Sequence, residues 1–224
     1  MISVVIPTLD AAARLPATLA ALVPAAVGGL VKEVIVVDGG STDATLEIAE
    51  DAGARVIAAE RGRGRQLAAG CAAARGEWLL ALHADTRLSA DWPAAAARHM
   101  AERPEQAGYF RFRLDDPSPV ARVWEAGVAL RCAVSAAPFG DQGLLMPCRL
   151  YERVGPYPAW SLMEDVDLIR RLGRANIAPI TADAVTSADR YRRDGYLRRS
   201  LRNWALVSRW RLGADPERLA RAYR

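Results

Sequence analysis

Val34-Ile35-Val36-Val37-Asp38-Gly39-Gly40-Ser41-Thr42-Asp43 is the stretch that decides the fold. Its first four residues, all β-branched, read as a fully buried strand, and they run straight into a carboxylate, two glycines and residues able to start a helix. Such a strand belongs to a parallel sheet covered by helices. Ligands of these sheets bind outside the carboxyl ends of the strands, so Asp38 falls on a ligand-binding rim. Trp78-Leu79-Leu80-Ala81-Leu82 ends the same way, in His83-Ala84-Asp85. Two apolar strands that each carry an aspartate to one edge point to an enzyme handling a metal-bound nucleotide.

Working outward, Ile2-Ser3-Val4-Val5-Ile6 reads as a first strand stopped by Pro7, and Leu15, Leu19 and Leu22 follow at helical spacing. Thr42 and Asp43 can cap a helix carrying Leu46, Ile48 and Ala49. Arg55-Val56-Ile57 is a short third strand, Gln66 to Arg75 an alanine-rich helix, and Trp78–Leu82 a fourth strand. The alternation predicts an α/β fold with a mixed, mainly parallel sheet and helices on both faces. Beyond Asp85 come a helix over Ala90 to Arg103 and a strand at Tyr109–Leu114 that alternates like a half-exposed one. A helix from about Val120 to Ala133, a strand at Gly143–Met146 and a helix beginning near Asp165 follow. No linker or repeat interrupts the 224 residues, which predicts one domain with two lobes, 1–88 and 89–190, and a basic helical tail, 191–224.

Composition sets bounds on the compartment and the partners. Hydrophobic residues make up 51% of the chain, enough for a full core. Cys71, Cys132 and Cys148 are odd in number and lack metal-ligand spacing, which fits a reduced, cytoplasmic setting. There is neither a spanning apolar run nor a signal peptide. From Arg190 to Arg224, eleven arginines stand against Asp194, Asp215 and Glu217. That net +8 leaves −4 for the rest of a chain whose total is +4. A basic tail can meet phosphate on a ligand or a membrane, or it can be a solvated helical face, and both readings stand here.

Several residues carry candidate chemistry. Asp85, at the end of a buried strand, can share a hard divalent cation with a diphosphate, or can cap the following segment. His83 reads as a structural histidine rather than a metal ligand. In Gly62-Arg63-Gly64-Arg65-Gln66 the glycines allow close backbone approach and an arginine can pair with phosphate. Phe139-Gly140-Asp141-Gln142 and Met163-Glu164-Asp165 place polar groups in apolar surroundings, and Glu164 or Asp165 can be a helix N-cap or a general base.

Together, Ile6-Pro7-Thr8-Leu9, Val36–Asp43, His83-Ala84-Asp85 and Glu164-Asp165 resemble family 2 glycosyltransferases of the nucleotide-diphospho-sugar, GT-A type. In detail, Val37–Ser41, Leu82–Thr86, Phe139–Gln142 and Leu162–Asp165 resemble the bacterial subgroup labelled arsenosugar-biosynthesis glycosyltransferases. The resemblance implies a metal-dependent, inverting transfer of a sugar from a nucleotide-diphosphate donor, UDP-linked, to a hydroxyl on a small-molecule or lipid-linked acceptor. It implies that Pro7, Thr8, Asp38, Gly39 and Ala84 hold the nucleoside, with Arg65 beside the nucleotide. Asp85 would bind magnesium or manganese, Asp165 with neighbouring Glu164 would serve as base, and Asp141 and Gln142 would meet the acceptor. His83 replaces the first acid of the family's Asp-x-Asp motif, which leaves metal ligation to Asp85, and Asp10 stands where asparagine is frequent.

A nucleotidyltransferase would carry a glycine-rich, arginine-bearing loop after the first strand, where this chain has Pro7-Thr8-Leu9-Asp10. A dehydrogenase would carry G-x-G-x-x-G there. A nucleotide-binding protein without catalysis would have lost Asp85 and Asp165, and both are present. No nucleic-acid partner is expected, and the sequence leaves the oligomeric state open. In the tail, Leu197, Leu201, Trp204, Ser208 and Arg211 share one helical face. The expectation is that Trp204 and the leucines pack on the protein's own second lobe, that the chain stays in solution with anionic liposomes, and that cutting at Asp194 destabilises the fold.

Overall fold

In the computed structural model, which describes residues 1–223, the strand Val34–Val37 lengthens at both ends into β2 (Val31–Asp38). It pairs in parallel with β1 (Ile2–Thr8) on one side and β3 (Arg55–Ala58) on the other. β4 (Trp78–Ala81) lies parallel on the far side of β1. The sheet continues through β7 (Leu144–Pro147), β6 (Ala107–Leu114), β8 (Ile177–Thr186) and β5 (Thr86–Leu88), in the order β3-β2-β1-β4-β7-β6-β8-β5. β7 runs antiparallel to both β4 and β6, β6 runs parallel to β8, and β5 closes the far edge antiparallel to β8. The mixed, mainly parallel α/β sheet is the one expected from the sequence.

The helices are α1 (Leu15–Ala20), α2 (Val23–Val27), α3 (Thr45–Asp51), α4 (Arg63–Ala73), α5 (Trp92–Glu102) and α6 (Pro119–Ser135). They continue with α7 (Cys148–Val154), α8 (Glu164–Leu172), α9 (Asp189–Asp194), α10 (Tyr196–Arg211) and α11 (Pro216–Tyr223). Two main apolar layers flank the sheet. One gathers Ile6, Leu15, Leu22, Val36, Leu80 and Trp92, and the other Val5, Val37, Leu67, Leu79, Met146 and Leu168. Alternate residues of β1 and β2 feed opposite layers, as the strand period demands.

Several expectations are corrected. Pro7 does not stop β1, which runs on to Thr8. The Leu82 N–H reaches the Val5 carbonyl at 3.0 Å, and no β4 residue pairs with β1 beyond Val5. Pro7, two residues on, therefore faces that vacated side, where its missing N–H costs no ladder bond. β6 is an inner strand between β7 and β8 that alternates over Phe110–Leu114 as expected, and its outward Arg111 and Arg113 pair with Asp183 and Glu125. The Gly62–Gln66 segment is no loop before a helix, because α4 already begins at Arg63. In the tail, Leu197, Leu201 and Trp204 are exposed, and α10 turns Arg199 and Leu206 inward instead. The apolar part of the expected stripe thus stays largely open to solvent and is not packed into the second lobe.

Candidate active site

The first half of the site is the rim formed by the carboxyl ends of β1 and β2. Gln66, buried in the first turns of α4, donates its side-chain amide to the carbonyls of Thr8 (2.7 Å) and Val37 (2.8 Å) and so holds the two strand ends together. α4 can come this close because Gly70 faces the sheet, where a Cβ would lie 2.4 Å from Val5 Cγ1 and 2.7 Å from Val37 Cγ2. Asp38 accepts N–H groups from Gly40 (2.9 Å) and Ser41 (2.8 Å) and hydroxyls from Ser41 and Thr8. Burial works against its charge, but these four donors prevail and hold its carboxyl below the usual range. Across the rim, Asp10 sits in the left-handed region at φ 48° and accepts the Thr42 N–H at 2.8 Å, tying the loops after β1 and β2 together.

The second half is a solvent-open cleft. Arg63, His83, Asp85, Asp141, Asp165 and Arg190 line it. His83 and Asp85 arrive on the turn after β4, which is secured to the end of β8: the Ser187 N–H reaches the Asp85 carbonyl at 3.2 Å, and the Thr86 and Thr186 hydroxyls meet at 2.7 Å. Asp141 comes from the short 3₁₀ turn Gly140–Gln142, and Asp165 from the first turn of α8. Asp165 Oδ2 accepts the Gly140 N–H at 2.7 Å, while Oδ1 accepts the N–H of Val166 at 2.8 Å. A Cβ at position 140 would fall 2.6 Å from His83 and 3.1 Å from Asp165, so the glycine lets the turn press against both side chains.

Charge in the cleft is strongly perturbed. Burial, reinforced by Arg63, lowers His83 to about 4 against the pull of Asp85 and Asp165, so the imidazole is neutral at physiological pH. Burial pushes Asp141 up to about 6, with Asp165 and Asp85 adding to the rise and Arg131 opposing it. Its Oδ1 is buried with no protein partner. Glu164 is fully buried and pairs with Arg63. Burial raises its carboxyl against that arginine's pull, and its Oε2 also lacks a partner.

The structure therefore brings Asp85, Asp141 and Asp165 together and keeps Pro7, Thr8, Asp38 and Gly39 on the neighbouring rim. Two expected residues face elsewhere. Arg65 turns to Glu60 and to Glu217 of α11, and Arg63 enters the cleft in its place. Gln142 spends its amide on the protein, donating to the Phe110 carbonyl and accepting from Arg131, Cys132 and Phe139. Ala84 accepts the Thr18 hydroxyl through its carbonyl at 2.9 Å. Arg63 and Arg190 were not singled out from the sequence. Arg63 had a signal, being the other arginine of the Gly-Arg-Gly-Arg run, whereas Arg190 lies among the tail arginines with nothing to mark it.

Among the described residues, no group of three or more His, Cys, Asp or Glu side chains forms a metal cage. The donor set is one carboxylate, Asp85, beside the unpartnered oxygen of Asp141. It suits a hard divalent cation completed by substrate phosphates and waters.

Comparison with known proteins identifies the family. Over 110 residues the chain is 40% identical to the PGL/p-HBAD biosynthesis glycosyltransferases of Mycobacterium bovis and Mycobacterium tuberculosis. The match covers 46% of this chain and 42% of those proteins, so it spans less than half of their length. S. aureus TarS crystallised with UDP superposes with a TM-score of 0.65 at 19% identity, covering 84% of this chain and 61% of that one. Glucosyl-3-phosphoglycerate synthase from Mycobacterium tuberculosis, crystallised with Mn2+, UDP and glucosyl-3-phosphoglycerate, gives 0.57 at 24% identity over 83% and 70%. These two likenesses speak for the fold alone. The sequence profile of glycosyl transferase family 2 matches residues 3–126, more than half of the chain, and the chain belongs to that family.

Proposed function

We propose that this chain is an inverting glycosyltransferase that moves a sugar from a nucleotide-diphosphate donor, UDP-linked, to a hydroxyl acceptor. One observation carries the reading: a carboxylate fixed by a backbone amide, Asp165 on Gly140, faces the same cleft as the strand-end carboxylate Asp85. Crystals of structural neighbours hold UDP, UDP-Glc and Mn2+, which supports such a donor and a divalent ion here.

In this reading the rim of Thr8, Asp38 and Gly39 receives the nucleoside and the cleft receives diphosphate, sugar and acceptor. Asp38 acts through the loop it folds, because its own oxygens are engaged by Gly40, Ser41 and Thr8. Asp85 would hold magnesium or manganese, and Asp141 Oδ1 is a further oxygen in the same cleft without a protein partner. When bound, the cation neutralises charge on the departing diphosphate. Arg63, braced by buried Glu164, adds fixed positive charge to the cleft wall, so we assign Glu164 a positioning role. Each Asp165 oxygen retains a lone pair beyond its backbone bond. Asp165 takes the acceptor hydroxyl proton as that oxygen bonds to the anomeric carbon. The carbon–oxygen bond to the diphosphate breaks on the opposite face, and the configuration inverts.

Calorimetric titration of UDP with and without manganese tests the donor site. In the parent chain manganese should tighten binding, and in Asp85→Ala that dependence should vanish. Equal metal dependence in both would reject the assignment.

A further inference from the structure

The apolar stripe of the tail helix lies largely open to solvent, and it does not stand alone. α6 and α10 pack side by side and flank a second groove. Phe139 and Asp141 line both this groove and the catalytic cleft, so the two spaces adjoin. Apolar side chains are bare on both helices beside it. On α6, Val120, Val123, Leu130 and Val134 lie on one exposed face, and Val123, 69% exposed, lines the groove. On α10, Leu197, Leu201 and Trp204 are exposed, and Trp204, 72% exposed, lines the groove from the other side. The helical period puts Arg198, Arg202 and Arg209 beside the α10 stripe on one flank, and Arg211 ends the stripe itself. No acidic residue falls between Tyr196 and Arg211. Large aliphatic and tryptophan side chains left in water on two adjoining helices mark an interaction surface, not scattered exposure. An apolar stripe banked by arginines is complementary to an interface that is apolar inside and anionic outside.

We infer that the α6–α10 face docks on an anionic lipid surface, and that the groove leads from that surface to the catalytic cleft. Among the described residues no helix is long and apolar enough to cross a membrane, so attachment would be superficial. The acceptor class then follows for the transferase proposed above: a hydroxyl borne by an amphiphile, whose apolar portion rests between α6 and α10 while the hydroxyl reaches Asp165. That acceptor assignment rests on the transferase reading, whereas the docking does not.

The test is co-sedimentation of the full chain with vesicles of phosphatidylcholine alone and of phosphatidylcholine mixed with phosphatidylglycerol. The chain should pellet with the mixed vesicles and not with the neutral ones, and high salt should weaken the attachment. The double substitution Leu201→Ser with Trp204→Ser should lower partitioning about tenfold or more. Both positions are exposed, so an unchanged melting profile and unchanged slow hydrolysis of a UDP-sugar would show that the fold and the donor site survive. A parent chain left in the supernatant, or a double variant that pellets as well as the parent, would overturn the assignment. A concentration-dependent dimer abolished by the same substitutions would overturn it as well, giving the face to a second copy of the chain. Vesicle binding is read without turnover, so its failure leaves the transferase reading untouched.

Discussion

Asp165 is pinned twice, by its own helix and by Gly140, and replacing it with asparagine keeps an acceptor oxygen for that amide. Asp165→Asn should therefore fold and bind donor normally while losing the base, a drop of about 10²–10⁴-fold in transfer rate. Near-normal turnover of a chain with intact donor affinity would move the base to Asp141 or Glu164. Asp141 offers a separate test through pH. Its carboxyl titrates near 3.8 when unfolded and about 6 when folded, chiefly because burial disfavours the charge. The folded state thus holds the proton more tightly, and this contribution to stability is full below the unfolded value and lost as pH climbs through about 6. Asp141→Asn cannot make that loss. In metal-free buffer, melts taken either side of pH 6 should show the parent losing stability relative to Asp141→Asn as pH rises, and a constant gap would reject the buried, protonatable carboxyl.

At the scale of elements, α4 is the part that joins the two halves of the site. Gly64 packs its α-carbon against the 158–160 backbone, where a Cβ would meet the Pro158 carbonyl at 2.1 Å and the Trp160 carbonyl at 2.7 Å. Neither carbonyl is a flexible side-chain end, so Gly64→Ala should cost about 1–3 kcal/mol by denaturant titration. The strands of the first lobe were legible because β1, β2 and β4 are short, nearly unbroken apolar runs bounded by Pro, Gly and Asp. β5 and β8 were missed for opposite reasons. β5 is three residues long, and β8 alternates buried and open positions around Pro179 and Asp183, so neither forms an apolar block. In the candidate site the strand-end aspartates announced themselves, since an acid after a buried run has few structural excuses. The choice between Arg63 and Arg65 was invisible, because it depends on which flank of α4 faces α8 and which faces Glu217. The tail stripe was found correctly, but its partner was not. A helical pattern shows which residues share a face and says nothing about what lies opposite that face.

Over the whole molecule, the tail closes the cleft from outside. Leu206 and Leu219 are buried with Leu162, Met163 and Val166, beside the segment that delivers Asp165. Glu217 accepts the Ser161 N–H at 3.0 Å and its hydroxyl at 2.9 Å. Removing everything after Asp194 should cost about 3–6 kcal/mol for the two leucines alone. Thermal melting of the shortened chain should show that loss, and an unchanged midpoint would mean the tail is an independent appendage. The closure of β5 on β8 reaches further still. Thr86 meets Thr186 across 100 residues, whereas β1 meets β2 across about thirty. Contacts that distant carry the larger loop-closure cost and form late. The cleft is therefore assembled in order during synthesis. The rim at Asp38 can exist once β2 has emerged, but the turn holding Asp85, already tied to Thr18, gains its anchor on β8 only when Ser187 has left the ribosome. In the proposed transferase the nucleoside rim would then be in place well before the cleft that receives the diphosphate and the acceptor.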